Sequence, residues 1–283
     1  MGKSYTSFLG VFFILFYLGR LAAQSDSTCL PQGITFIGQN HANTFRQNYP
    51  GCKVITGDVT IDGTSLIHLD SLYSIEAIEG DLEINLGPNL ASIDGFQGLE
   101  RIGGELYIHS NTLQSPIQTL SGFNHLQQIG GNFRIQAAQN LSALHGLEQL
   151  HSIDGNFSLI SNDQISNLTG LSGLTNIGGN FTVSLQDGIS SFFGLQALTA
   201  IGGDIHVLNN TALSDVSALN TVTQIGGGVE FAFCNNLHQL NLFQQVDEIN
   251  GSVSINLSNL SEFNAFEQVE NISGQLVLQA GDI

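Results

Sequence analysis

Tyr107 and Arg134 occupy the same place in two adjacent copies of a repeat, and the carboxylates Glu83 and Glu105 stand beside them. An aromatic ring next to a guanidinium is a pairing that commonly anchors binding interfaces. Asn132 and Asn156 add amides to the same surface. Glu83, Glu105, Tyr107, Asn132, Arg134 and Asn156 form the candidate ligand-binding site, suited to a protein or glycan partner. The plainer reading is a cation–π or salt-bridge contact on an ordinary solvated face. Catalytic chemistry has less to work with. The chain holds no His-Glu-x-x-His, Gly-x-Ser-x-Gly, Cys-x-x-Cys or phosphate-binding glycine loop. Its eight histidines (41, 68, 109, 125, 145, 151, 206 and 238) are scattered. His109, just past a strand, and His206, on a strand's outer face, lie four coils apart and do not share a metal. No catalytic residue, metal site or cofactor is expected.

The elements that position these side chains follow from one pattern. Ile-x-Gly-x-(apolar)-x-(apolar) begins at Ile55, Ile78, Ile102, Ile129, Ile153, Ile177, Ile201, Ile225, Ile249 and Ile272, with steps of 23 to 27 residues and mostly 24. Self-similarity at this period marks a solenoid of about ten stacked coils. In the copy Ile102 to Ile108, apolar or small residues alternate with polar ones, which predicts a strand buried on one face. Each copy has glycine at its third position, either because a side chain would meet the neighbouring coil or because the backbone needs a conformation glycine favours. The rest of each coil places apolar residues at every third position, as at Leu141, Leu144, Leu147 and Leu150. That spacing does not fit an amphipathic α-helix and suits a tight-turned arc. Stacking predicts an internal ladder of Phe133, Phe157 and Phe181. It also predicts an outer amide ladder of Asn132, Asn156 and Asn180.

Composition and chain ends bound the setting. Residues 1–23 carry Lys3, an apolar run from Phe8 to Leu18, and Arg20, and read as a secretory signal peptide cut between Ala23 and Gln24. The run is too short for a bilayer span, so no stable membrane insertion is expected after cleavage. Of six basic residues, removing Lys3 and Arg20 leaves four (Arg46, Lys53, Arg101 and Arg134) against 24 acids, a formal charge of −20. Such a surface repels phosphate backbones and argues against nucleic acid. Secretion permits disulfides. Residues 24–54 lack the repeat and read as an N-terminal cap stapled by Cys29 and Cys52, with a strand over Ile34–Ile37 and a helix over Ala42–Asn48. Cys234 is left over as a small buried residue. Residues 55–283 form the repeat domain, which ends without a matching cap, so two readings stay open: a truncated chain, or a partner that covers this end.

The segment Cys52-Lys-Val-Ile-Thr-Gly-Asp-Val-Thr-Ile61 resembles the opening of the receptor L domain. The Leu-x-x-Ile-Gly-Gly-(Asp/Asn)-(Leu/Phe)-x-Ile repeats, with Cys29 and the Tyr49-Pro-Gly-Cys52 cap, resemble secreted repeat proteins of Bacteroidetes more closely still. The resemblance spans about residues 29–278. It implies a right-handed single-stranded parallel β-helix related to leucine-rich repeats. It also implies a secreted or cell-surface, noncatalytic protein that binds a protein or glycan on the outer face. Two alternatives stay open: a polysaccharide-active β-helix enzyme, and a purely structural surface spacer.

Overall fold

The computed structural model describes residues 27–112 and 115–280; the expected signal peptide and its cleavage point at Ala23 and Gln24 lie outside them. Each repeat folds into one coil, and each coil lies parallel to the last. The result is a β-helix solenoid with two sheets of eleven parallel strands running along it. One sheet is built of two-residue strands such as Arg101–Ile102, the other of longer strands such as Leu106–His109. A small third sheet pairs Gln239–Leu240 with Glu262–Phe263.

The alternation from 102 to 108 predicts one strand, but the chain bends at Gly103-Gly104 and divides it between the two sheets. Close approach explains the glycine. A Cβ on Gly104 would lie 2.8 Å from the Gly80 carbonyl carbon and 2.0 Å from Asp81 Oδ1. The corners of successive coils therefore touch backbone to backbone. Beyond the bend, Leu106 and Ile108 point inward and are fully buried, while Tyr107 and His109 face out. A second corner follows the long strand. There Ala137, Ser161, Leu185, Asn209 and Phe233 each take φ between 54° and 58°, one left-handed residue per coil.

The arc returns through short 3₁₀ turns at Asp70–Leu72, Asp94–Phe96, Ser121–Phe123, Thr169–Leu171 and Ser217–Thr221. Their three-residue turn matches the apolar spacing, and Leu141, Leu144, Leu147 and Leu150 are all buried. Inside, Phe133, Phe157 and Phe181 form the expected ladder, the first pair edge-on and the second stacked, with ring centroids 5.7 Å and 5.5 Å apart. A polar ladder runs beside them. Asn162, Gln186 and Asn210 are fully buried. Their side-chain oxygens accept the N–H groups of Ala138, Asn162 and Gln186 at 2.9 Å, 3.0 Å and 3.1 Å. Cys234 takes the next rung as a free, buried thiol facing the carbonyls of Val207 and Ala232.

The segment before the first repeat joins the stack. Thr28–Cys29 pairs with Val54–Ile55, and Ile34–Phe36 pairs with Val59–Ile61. This is why each sheet has eleven strands where ten repeats were counted. The helix expected over 42–48 is two short helices, Gln39–Asn43 and Phe45–Asn48, broken at Thr44. Cys29 and Cys52 are bonded.

Candidate functional site

The long-strand sheet presents three outward rows. The first, just before each strand, reads Asp58, Asp81, Glu105, Asn132, Asn156, Asn180 and Asp204. The second runs in register through Glu83, Tyr107, Arg134, Ser158, Thr182 and His206. The third includes Asn85, His109, Gln136 and Ile160. Strand register thus gathers all six predicted site residues on one face.

Tyr107 and Arg134 sit directly opposite each other, and the guanidinium carbon lies 4.4 Å from the ring centroid. His109 belongs to the strand itself, where the sequence placed it just beyond, and its ring stacks on Tyr107 at 4.5 Å. His109 Nε2 lies 3.0 Å from Glu83 Oε1. Tyr107 Oη donates to Gln136 Oε1 at 3.3 Å, and Arg134 Nη2 donates to the same oxygen. Arg134 Nε is buried without a partner. The π surface of Tyr107 is therefore engaged within the protein, and the guanidinium uses few of its five donors.

Charge pairing separates Arg134 and Arg46 from the other two described basic side chains. Lys53 pairs with Glu76 and Arg101 with Glu79, both away from this face. Arg46 lies over Tyr73, 4.5 Å from its centroid. Among the described residues Arg134 makes no ion pair, although Glu83 and Glu105 are near in the array.

The amide ladder differs from the expected chain of side-chain bonds. Asn132 Oδ1 accepts the Asn156 backbone N–H at 2.9 Å, Asn156 Oδ1 that of Asn180 at 2.7 Å, and Asn180 Oδ1 that of Asp204 at 2.8 Å. Aspartates serve in the same way elsewhere: Asp81 Oδ1 accepts the Glu105 N–H at 2.7 Å. The backbone leaves the strand corner with N–H groups aimed along the solenoid, and a short side-chain acceptor satisfies each. An open groove of about 320 Å³ runs past these residues, lined also by Ser158 and Thr182. Neither was predicted. Both sit one or two repeats after Arg134, so the period alone places them at the site.

Comparison with known families bears on the same coils. Residues 51–114 match the family model of the Receptor L domain. Over that segment the chain is similar to a receptor L domain. Comparison with curated proteins gives no match. The coil geometry of the receptor L-domain segment continues without change of register to Ala280, well past the matched residues. Glu83, Glu105 and Tyr107 lie inside the matched segment; Asn132, Arg134 and Asn156 lie on the coils that follow it. The receptor L domain and the Cys29–Cys52 bond together point to an extracellular protein.

Proposed function

We propose that this receptor L-domain repeat protein is a secreted or cell-surface, noncatalytic binding module. Its long-strand face meets a protein or glycan partner. The observation that carries this reading is the Arg134 guanidinium, held on Tyr107 without a carboxylate and bordering an open groove. A guanidinium so placed keeps donors free for a partner, and its stacked position lowers the entropy lost on binding. The N-terminal segment fits export: a signal peptide ending at Ala23 would deliver the chain to a compartment where Cys29 and Cys52 oxidise. Sequencing of the exported protein should begin at Gln24. For the face itself, partners are captured by glycan array and by pull-down from extracellular material. Tyr107→Ala combined with Arg134→Ala should weaken the captured interaction at least tenfold with the fold unchanged by circular dichroism. Unaltered affinity would move recognition to the arcs or corners.

A further inference from the structure

The long-strand face is divided by charge. Its first coils carry Asp58, Asp81, Glu83 and Glu105, and its later ones Asp204 and Glu230. The three coils between carry no carboxylate in any of the three outward rows, and one guanidinium. In a chain with 24 acids and six basic residues, this is a local reversal of the prevailing sign.

The hydrogen bonding of these three coils has a polarity. Each ladder asparagine spends Oδ1 on the backbone N–H of the next coil. That contact fixes the amide orientation, since a flipped amide would set donor against donor. The Nδ2 groups of Asn132, Asn156 and Asn180 are then turned outward as donors, and none has an acceptor among the described residues. Strand spacing puts them ~4.8 Å apart, so the row spans about 10 Å. Arg134 adds its free N–H groups at one end. The hydroxyls of Ser158 and Thr182 line the same groove and have no partner among the described residues either.

We infer that this three-coil window is a binding site for a linear glycan bearing carboxylates, laid along the solenoid axis with an acid group on Arg134. The inference rests on the outer-face reading above and narrows it to a ligand class. A donor row at regular spacing matches a ligand that offers acceptors at each residue of an extended chain. The carboxylate answers the guanidinium, for which planar two-point recognition is the natural pairing. A protein partner fits less well. Interface hot spots need an aromatic anchor in a desolvated pocket, and the Tyr107 ring is already engaged by Arg134 and His109. Glu105 lines the groove and opposes an anionic ligand. Asp204, on the rung after Asn180, opposes it at the other end, and salt weakens both repulsions because the Debye length is about 10 Å at 0.1 M.

The test uses the full chain and isothermal titration with tetramers of galacturonate, mannuronate and glucuronate, each beside its neutral methyl ester. At least one acid tetramer should bind, and its ester at least tenfold more weakly. Asn156→Asp keeps the ladder acceptor, as Asp81 and Asp204 do on their own rungs, but replaces the outward donor with an oxygen. It should weaken acid binding at least tenfold without lowering the melting temperature. Glu105→Gln should strengthen it several-fold. A merely structural asparagine would show neither effect. Equal binding of acid and ester, or no binding by any of the three acids, overturns the inference. If a neutral glycan or a protein binds instead and Arg134→Ala abolishes that binding, the outer-face reading stands and the ligand class falls. If Arg134→Ala leaves every captured partner unaffected, both fall.

Discussion

Cys234 is the cysteine left over from the Cys29–Cys52 pair, and it is buried. It occupies the rung held by Asn162, Gln186 and Asn210 in the preceding coils, and burial pushes its thiol pKa up. Thiolate chemistry is suppressed there. Iodoacetamide should label Cys234 only after denaturation, and Cys234→Asn should hold stability within ~1 kcal/mol, because asparagine already fits that rung. Asn210→Ala is the contrasting case. It orphans the Gln186 N–H inside the solenoid and removes a bond to the Val183 carbonyl, and should cost about 2 kcal/mol or more by urea denaturation. Labelling of the native protein would show that the thiol is accessible. This inner ladder was legible only in part. A buried small Cys234 follows from the sequence, but Asn162 and Asn210 look like ordinary turn residues until their period of 24 is set beside that of Cys234. The outer ladder misled in the opposite sense: the repeat located Asn132, Asn156 and Asn180, while the partner of each amide depended on where the coil corner aims its N–H.

At the scale of the element, the glycine corner governs how tightly coils stack. A Cβ on Gly179 would fall 2.3 Å from Asn156 Oδ1 and 2.9 Å from the Gly155 carbonyl carbon. Gly179→Ala should therefore destabilise by ~1–3 kcal/mol, the usual range for overpacking. Gly38→Ala should change stability by less than ~0.5 kcal/mol, since nothing lies within 4 Å of its Cβ position. Equal effects of the two would remove close approach as the reason for the repeated glycine. Alternation of apolar residues carried straight through this corner, which is why residues 102–108 read as one strand: both halves bury the same side toward the core, and the alternation does not register the bend. The N-terminal element is held differently. Cys29 and Cys52 are 23 residues apart and close a loop around two short helices. Replacing both with serine should lower stability by about 3 kcal/mol on the chain-entropy account. Its first strands pair in the same registers as the repeats, which its sequence, lacking the Ile-x-Gly signature, did not disclose.

The whole molecule is one stack, so stability is shared between neighbouring coils. The repeat period made this architecture the most legible feature of the chain, since ten copies each restate the same inward rows. What the period does not state is charge placement along the stack, and that has a physical consequence. With 24 acids against six basic residues the chain carries a formal charge of −18. Stacking aligns like charges: Asp58, Asp81 and Glu105 occupy successive rungs of the first outward row. Neighbours at ~4.8 Å repel by on the order of 1 kcal/mol in a water-like dielectric, and salt screens this. The ion pairs Lys53–Glu76 and Arg101–Glu79 are half-exposed and give little in return. Raising sodium chloride from ~10 mM to ~150 mM, which shortens the Debye length from ~30 Å to ~8 Å, should therefore raise the melting temperature by a few degrees. Asp81→Asn should give part of that rise at low salt, because it keeps the ladder acceptor for the Glu105 N–H and removes one charge from the row. A melting temperature that falls as salt is added would mean that attractive pairs outweigh the stacked carboxylates, and the row would then be neutral in its effect on the fold.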